Sequence, residues 1–333
     1  VCPLFFVPTA YALNYGGSYS LNSLKSVDSD VVIAFTGYDC FSNIRGSSCA
    51  DMAGRVGRNP VMWWNNPVND DHDERIYMRG VTAHWTIEDS EPIPSLRGLM
   101  LNPMGQAQAS KVALFGGADY AWNPARFEKV SNWEASIRSL VKDDEELRNA
   151  MRTFAIHSEW GIELKETDEL KPLFDTFKSS YSASGELPSV TGQLVTEMQK
   201  IYDACVLLRT MEHSGDSDHV LFYKETKYWI AKLQSMSNII LKSLTLLQSG
   251  ENSQWTDFLV AKEEYAKIHT DPDFFVPALE GSGTSTEKKS YEVTPSDVNM
   301  MPFADWIIGK IADKAPVLPE RSRDIVIITN VKN

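Results

Sequence analysis

The sequence predicts an α/β fold, half of a (β/α)8 barrel followed by a bundle of α-helices. In the first part of the chain, four short apolar runs alternate with helical stretches, and each run ends in polar or small residues. Further along, apolar residues recur at steps of three and four, which is the period of a helix and not of a strand.

The four apolar runs are predicted to be parallel strands. Segments such as "SLNSLKSV" and "CADMAGRVGR" lie between them and can form crossover helices. Continuous apolar strands that alternate with helices are typical of a parallel sheet, and four such units make half of an eight-stranded barrel. The runs are "LFFV" (4–7), "VVIAF" (31–35), "VMWW" (61–64) and "LRGLML" (96–101).

A helix is predicted directly after the fourth run, in "NPMGQAQASKVALFGGADYAWNP". Asn102 is expected to cap this helix, with Pro103 in its first turn. The glycine pair at 116–117 is expected to follow the helix. It therefore does not resemble a phosphate-binding loop, because such a loop precedes the helix.

The remaining chain is predicted to be helical and then irregular. We expect the half-barrel in residues 1–128, a helical bundle in 129–275, and a linker and tail in 276–333. "LEGSGTSTEKKS" is typical of a flexible linker, while "FADWIIGKIADK" is typical of a short helix and "DIVIITNV" is apolar. Three stripes predict core and not ligand surface: Trp133, Ile137, Leu140, Leu147 and Met151; Leu194, Met198, Ile201, Cys205 and Leu208; and Trp229, Leu233, Met236, Ile240, Leu244 and Leu247.

Composition excludes several classes of partner and cofactor. The net charge is −13, which argues against a nucleic-acid partner. No apolar run reaches the length of a membrane span, and no Cys/His group has zinc spacing, so we expect neither a membrane segment nor a metal or other cofactor. Cys40 and Cys49 could close a short disulfide loop, or all four cysteines could be free thiols.

The stretch "VMWWNNPVND" (61–70) suggests a sugar-binding site. A pyranose has an apolar face and a ring of hydroxyls, so its site needs an aromatic wall beside amides and carboxylates. Strand alternation places Trp63 and Asn65 on one side and Trp64 on the other. The alternative is structural, because Asn-Pro and Asn-Asp are ordinary turn formers and paired tryptophans are often core.

The acidic run "NDDHDERIY" (69–77) allows a metal site or a solvated loop, and the second is favoured because neighbours in sequence rarely converge on one ion. His157 lies in a helical stretch and is expected to be structural.

Taken in order, "PTAY", "FTGYDC", "WWNNPVND" and "LNPMGQAQASKVALFGGADYAWNP" resemble glycoside hydrolase family 84, over about residues 3–135. These are retaining β-N-acetylglucosaminidases that include O-GlcNAcases and bacterial enzymes once called hyaluronidases. The resemblance implies that the four strands are strands five to eight of the barrel. It also implies substrate-assisted catalysis, in which the acetamide oxygen of the substrate attacks the anomeric carbon and an oxazoline forms.

The resemblance also implies roles for individual residues. Tyr11 matches an auxiliary catalytic tyrosine near the anomeric centre. Two departures from the family pattern, Val7 for a cysteine and Phe35 for a tryptophan, affect local shape. The implied substrate-binding residues are Thr36, Cys40, Trp63 as the wall of the acetamide pocket, Asn65 beside the acetamide, and Asp70 and Asn102 as clamps on the sugar hydroxyls.

The catalytic Asp-Asp pair of the family follows strand four, which the resemblance places upstream of residue 1. Asp70–Asp71 belongs to the strand-seven motif and is rejected as that pair. The expected partners are a GlcNAc-bearing glycan or glycoprotein and the N-terminal half of the barrel, supplied as an upstream segment or a separate chain. An exported bacterial enzyme is favoured over a cytoplasmic one. A non-catalytic carbohydrate-binding or scaffold protein, and a barrel enzyme that uses a metal at 70–74, remain the alternatives.

Overall fold

The computed structural model describes residues 3–15, 18–82, 86–88, 92–158, 170–271, 274–277 and 290–312. It is a mixed α/β structure in which helices predominate. A four-stranded sheet occupies the first third of the chain, and helices make up most of the rest. In the described part of the chain, no helix has the length and apolarity that a membrane crossing requires.

The sheet is parallel, as predicted, and its strand order follows the sequence. On the last two strands Trp63 pairs with Met100 and Trp64 with Leu101. Each strand falls inside one of the four apolar runs: β1 (Phe5–Phe6), β2 (Val32–Phe35), β3 (Val61–Trp64) and β4 (Gly98–Leu101).

Three helices connect or follow these strands, namely α1 (Ser18–Ser23), α2 (Gly46–Val56) and α3 (Ala107–Trp122). Phe35, Met62 and Trp64 from the strands form a buried cluster with Cys49 and Met52 of α2. The pair at 116–117 lies inside α3 and does not follow it, so that expectation was wrong. The helix packs closely on β4, because a Cβ at Gly117 would lie 2.3 Å from Leu101 Cδ2.

The predicted start of α3 was also wrong. Asn102 does not cap the helix, which begins five residues later, at Ala107. The reason is that Asn102 still belongs to the edge of the sheet: its backbone N–H donates to Trp64 O at 3.0 Å, and its carbonyl accepts from Val68 N at 2.9 Å. The chain is therefore held extended until it has passed β4.

Seven helices and a small hairpin form the rest of the described structure. The hairpin consists of the antiparallel strands β5 (Phe275–Pro277) and β6 (Ser290–Glu292). The helices are α4 (Lys129–Val141), α5 (Glu145–His157), α6 (Leu170–Ser184), α7 (Thr191–Arg209), α8 (Ser217–Ser249), α9 (Asn252–Thr270) and α10 (Met300–Ala312).

The three apolar stripes are core, as predicted, with Leu247 only partly buried. The first stripe does not lie on one helix, because it is divided between α4 and α5. Lys142 has a positive φ of 57° at the break. The Asp144 carboxylate then caps α5 by accepting from Leu147 N at 2.9 Å.

The short helix predicted at "FADWIIGKIADK" is confirmed in α10, which begins three residues earlier, at Met300. The linker prediction for 279–290 lies outside the described residues except for Ser290, which opens β6, and "DIVIITNV" lies wholly outside them. The domain limits at 128 and 275 stay predictions.

Candidate functional site

The polar segments that follow the four strands converge at one end of the sheet, where the carboxyl ends of the strands lie. Backbone hydrogen bonds join them beyond the strands themselves: Thr36 N donates to Tyr11 O at 2.9 Å, and Asn102 N to Trp64 O at 3.0 Å. This convergence is what a parallel sheet requires, because all carboxyl ends of its strands lie on the same side. Of the residues implied by the sequence motifs, Tyr11, Cys40, Asn65 and Asn102 are joined by side-chain contacts.

Asn65 lies at the centre of this carboxyl end of the sheet and is almost wholly buried. Its Nδ2 donates to Cys40 O at 3.0 Å, and the same nitrogen lies 3.6 Å from Cys40 Sγ. Its Oδ1 accepts from Asn102 Nδ2 at 3.1 Å. Because both polar atoms of its amide are engaged, the Asn65 side chain is held in one orientation between the ends of β2 and β4.

Tyr11 extends this contact network to the end of β1. Its hydroxyl donates to Cys40 Sγ at 3.9 Å. Its ring meets that of Tyr15 edge to face, with centroids 5.0 Å apart, and a side-chain hydrogen bond with Tyr11 raises the pKa of Tyr15. Tyr11, Cys40, Asn65 and Asn102 thus form a continuous row across the ends of all four strands. Cys40 and Cys49 are free thiols, so no disulfide joins them.

Thr36 is buried, and its hydroxyl is used within its own turn. Thr36 Oγ1 donates to Asp39 O at 2.8 Å. The turn also needs Gly37, whose φ is 121° and where a Cβ would lie 2.6 Å from Ser42 Cβ. Thr36 therefore shapes the segment that presents Cys40, and its proposed contact with substrate stays a prediction.

The two tryptophans of β3 point to opposite faces, as strand alternation predicts. Trp64 is fully buried in the cluster under α2, and its Nε1 donates to Ser42 O at 2.9 Å. Trp63 is half-buried on the other face, the face to which Asn65 also belongs by alternation. The Trp63 indole and the Asn65 amide thus belong to the same face of the sheet, while Trp64 anchors the strand on the other.

Asp70 is exposed at the start of a closed loop, and Asn69 closes that loop. Asn69 is buried; its Nδ2 donates to Arg75 O at 2.8 Å and to Gln106 Oε1 at 2.9 Å, and its Oδ1 accepts from Gly105 N at 3.3 Å. The amide therefore ties the two ends of segment 69–75 together and joins them to the chain after β4. Asp70 is presented to solvent by a fixed backbone.

Sequence reasoning missed Asn69 and Gln106 as residues that build the site. Asn69 stood in the motif, next to Asp70, but nothing in the sequence signals a contact with a residue 37 positions away. Asp71 is exposed beside Asp70. Within the described ranges, no group of three or more His, Cys, Asp or Glu side chains is arranged to hold a metal ion.

His157 is buried at the C-terminal end of α5. Burial, with Lys200 and Arg79 nearby, lowers the pKa of His157 to about 3. The imidazole is therefore neutral at ordinary pH, and the structural role expected for His157 stays a prediction.

Comparisons with known proteins identify similar folds and a matching family. Residues 1–156 match the model of the β-N-acetylglucosaminidase family. The structure of CpGH84D superposes with a TM-score of 0.75 at 25% sequence identity, over 93% of this chain and 50% of that one. For CpGH84B the TM-score is 0.70 at 21% identity, over 92% and 51% of the two chains.

A mutant O-GlcNAc hydrolase of Thermobaculum terrenum superposes with a TM-score of 0.68 at 18% identity, over 93% of this chain and 61% of that one. At their level of identity, this match and CpGH84B show similarity of fold alone. The chain spans between half and about three-fifths of the length of these three structures. With the family match over residues 1–156, these superpositions confirm that the chain resembles the β-N-acetylglucosaminidases of glycoside hydrolase family 84.

Proposed function

We propose that this chain is the C-terminal half of the catalytic barrel of a retaining β-N-acetylglucosaminidase of O-GlcNAcase type, followed by a helical bundle. In this proposal the four parallel strands are strands five to eight of a (β/α)8 barrel. The chain supplies the residues that hold a terminal β-linked GlcNAc, and the Asp-Asp pair comes from strand four in an upstream segment. The row of contacts from Tyr11 to Asn102 across four strand ends is the observation that carries it.

The exposure of the edge strand β1 supports the proposal that an upstream segment supplies the N-terminal half of the barrel. The residues that form or flank the edge strand β1 are exposed: Leu4 by 65%, Phe5 by 48%, Phe6 by 42% and Val7 by 39%. An apolar edge strand open to solvent is an aggregation hazard that native proteins cover. The N-terminal strands of the barrel are a suitable cover, since the barrel closes by pairing its halves.

The chemistry of the strand ends suits an N-acetylated sugar. The Trp63 indole offers an apolar wall for the acetamide methyl, and Asn65 lies beside it with its amide held by Cys40 and Asn102. The exposed carboxylate of Asp70 can accept hydrogen bonds from sugar hydroxyls, and charge-assisted bonds of this kind are about twice as strong as neutral ones.

In the proposed mechanism the substrate provides its own nucleophile. The acetamide oxygen attacks the anomeric carbon as the leaving group departs, and the resulting oxazoline is then hydrolysed with retention of configuration. The family-specific pair of aspartates replaces the usual nucleophile and acid of retaining glycosidases. The residues of this chain contribute by holding the acetamide in line with the anomeric carbon, an effect of orientation. Tyr11, at the β1 end of the row of contacts, acts beside the reacting centre in this proposal.

Complementation tests this function directly. This chain alone should not hydrolyse a chromogenic β-N-acetylglucosaminide, whereas co-expression with the upstream half of the barrel should give turnover. The complex of the two halves is called the complete enzyme below. Full activity of the lone chain would refute the division of labour. Binding of N-acetylglucosamine by the complete enzyme without turnover would favour the alternative of a non-catalytic carbohydrate-binding protein.

A further inference from the structure

The loop that carries Asp70 is held by the helical part of the chain. This loop, residues 69–75, bears Asp70 at its start and Glu74 near its end. The Glu74 carbonyl accepts two hydrogen bonds, each of 3.0 Å, one from Trp229 Nε1 of α8 and one from the backbone N–H of Thr294 just after β6. The loop therefore contacts both a core helix and the hairpin strand.

The same residue also organises the loop from within. The Glu74 carboxylate lies 3.1 Å from His72 Nδ1 and 3.3 Å from Arg75 Nε. The backbone of the loop adds bonds of 2.9 Å from His72 N to Asn69 O and from Arg75 N to His72 O. A displacement of Glu74 would therefore pass along the loop to Asn69 and Asp70.

A buried lysine fixes the hairpin strand on the other side. Lys232 lies one helical turn after Trp229 in α8, and only 2% of its side chain is exposed. Its Nζ contacts the Glu292 carboxylate and donates to Val293 O at 2.7 Å. The Glu292 carboxylate also meets His269 Nδ1 at 2.5 Å. Residues 290–294 are thus attached to α8 directly beside the residue that donates to Glu74.

The contacts of the buried Lys232 are more specific than hydrophobic packing at this position requires. A buried ammonium is costly, and an apolar side chain of similar size would fill the same space at lower cost. The ammonium of Lys232 instead binds Glu292 and Val293 O, and the chain directly after them bonds to the loop through Thr294 N. Burial, with Asp73 and Glu74 nearby, raises the pKa of Tyr291 in β6, which places this side chain against the loop as well.

We propose that Trp229 and Lys232 are positioning residues of the sugar site, which fix Glu74 and, through it, the loop that presents Asp70. Trp229 acts directly, and Lys232 acts through residues 290–294. The functional part of this inference rests on the proposed function, because it takes Asp70 to contact the sugar. The mechanical part, that α8 and the hairpin strand hold the loop, is independent of it.

The test uses the complete enzyme with the variants Trp229→Phe and Lys232→Met. Trp229→Phe keeps a ring in the core and removes the N–H donor to Glu74, so it is the milder change. Lys232→Met keeps the length of the side chain and removes the ammonium. Trp255→Phe in α9 and Lys242→Met, which removes a surface ion pair of α8 with Asp257, are the matched controls.

Hydrogen exchange and kinetics are measured together. In Trp229→Phe, loss of one hydrogen bond to this partly buried acceptor should speed amide exchange in peptides that span 69–77 by roughly fivefold or more, with no change in α9. The value of kcat/KM for a β-N-acetylglucosaminide should fall by about tenfold, mainly through KM, while the control variants match the wild type. A variant that is merely less stable would speed exchange in all helices alike.

The possible failures are distinguishable. Unchanged exchange at 69–77 in Trp229→Phe would overturn the mechanical part even if Lys232→Met failed to fold. Faster exchange there with unchanged kcat/KM in an active enzyme would overturn the positioning role. If the wild-type complete enzyme cleaved no β-N-acetylglucosaminide, the proposed function would fail, and the exchange experiment would still decide whether α8 holds the loop.

Discussion

Asn102 Nδ2 donates to Asn65 Oδ1 at 3.1 Å and so joins the ends of β4 and β3 through their side chains. The bond orients Asn65, because its Nδ2 is then left to face Cys40 O at 3.0 Å. Asn102 does not cap α3, and its side chain contacts the candidate site residue Asn65. The same bond provides a sharp test of whether these amides act as a unit.

Asn102→Asp in the complete enzyme should be more damaging than a change of one atom suggests. A carboxylate oxygen would then face Asn65 Oδ1, and two acceptors repel unless the Asn65 amide turns. If that amide turns, its bond to Cys40 O is lost instead. We expect kcat/KM to fall by about 10²-fold, measured on a chromogenic β-N-acetylglucosaminide. Asn59→Asp is the control, since Asn59 makes one exposed bond to Pro94 O before β3. Equal effects of the two substitutions would contradict the role of the amide pair.

Asn69→Ala should lower stability and activity together. The substitution removes three hydrogen bonds of a buried amide, to Arg75 O, Gln106 Oε1 and Gly105 N. Groups left without partners in a buried site cost about 1–3 kcal/mol each, so we expect the free energy of unfolding to fall by roughly 2–4 kcal/mol. Urea unfolding measures this change, with Asn59→Ala as the matched control. A loss below about 0.5 kcal/mol would show that Asn69 does not hold the loop.

Asp70→Ala should separate activity from stability. Both Asp70 and Asp71 are exposed, so neither substitution should change the melting temperature appreciably. In the complete enzyme, Asp70→Ala is expected to lower kcat/KM by about 10²-fold because a charged acceptor for sugar hydroxyls is lost, whereas Asp71→Ala should have little effect. The neighbouring residue thus serves as the control. Similar losses at both positions would argue against Asp70 as the clamp.

Patterns of short range were predictable, and contacts of long range were not. The apolar run 61–64 and the alternation within it correctly indicated β3 and the opposite faces of Trp63 and Trp64. The break between α4 and α5 had a local signal, because Asp144, a residue type that commonly caps helices, stands three residues before Leu147. The late start of α3 had none, because it depends on the pairing of Asn102 with the neighbouring strand.

The candidate site divides in the same way. The resemblance to family 84 implied the roles of Asn65, Asp70 and Asn102, and the parallel strands place the polar segments that carry them at the same end of the sheet. The pairing of Asn69 with Gln106 and of Glu74 with Trp229 depends on tertiary packing between distant segments. Such contacts cannot be predicted from the spacing of residues in the sequence.

Acidification should destabilise the protein through His157. Burial lowers the pKa of His157 to about 3, whereas an unfolded histidine has a pKa of about 6.5. The unfolded state therefore binds a proton below about pH 6.5 that the folded state does not, and stability is lost as the pH falls from there. At about pH 5 the loss is roughly 2 kcal/mol.

Urea unfolding of the wild type and of His157→Gln at pH 7.5 and pH 5 measures this contribution. The variant should lose less stability on acidification, while His213→Gln, which changes an exposed histidine of a short turn, should behave as the wild type. An identical pH dependence in His157→Gln and the wild type would rule out this contribution.

The last prediction concerns the nucleophile. If Trp63 walls in the acetamide methyl and the acetamide oxygen attacks the anomeric carbon, then geometry and electron density at one group govern the rate, because a nucleophile must be held in line to react. Substrates whose N-acetyl carries one, two or three fluorines barely change in size, but their carbonyl oxygen becomes a progressively poorer nucleophile. We expect kcat/KM of the complete enzyme to fall steeply along this series. N-acetylglucosamine thiazoline, which resembles the oxazoline, should bind tightly, and Trp63→Ala should weaken that binding more than Asp71→Ala does. A flat response to fluorination would mean that a protein carboxylate attacks instead, and the resemblance to family 84 would then extend to the fold and not to the mechanism.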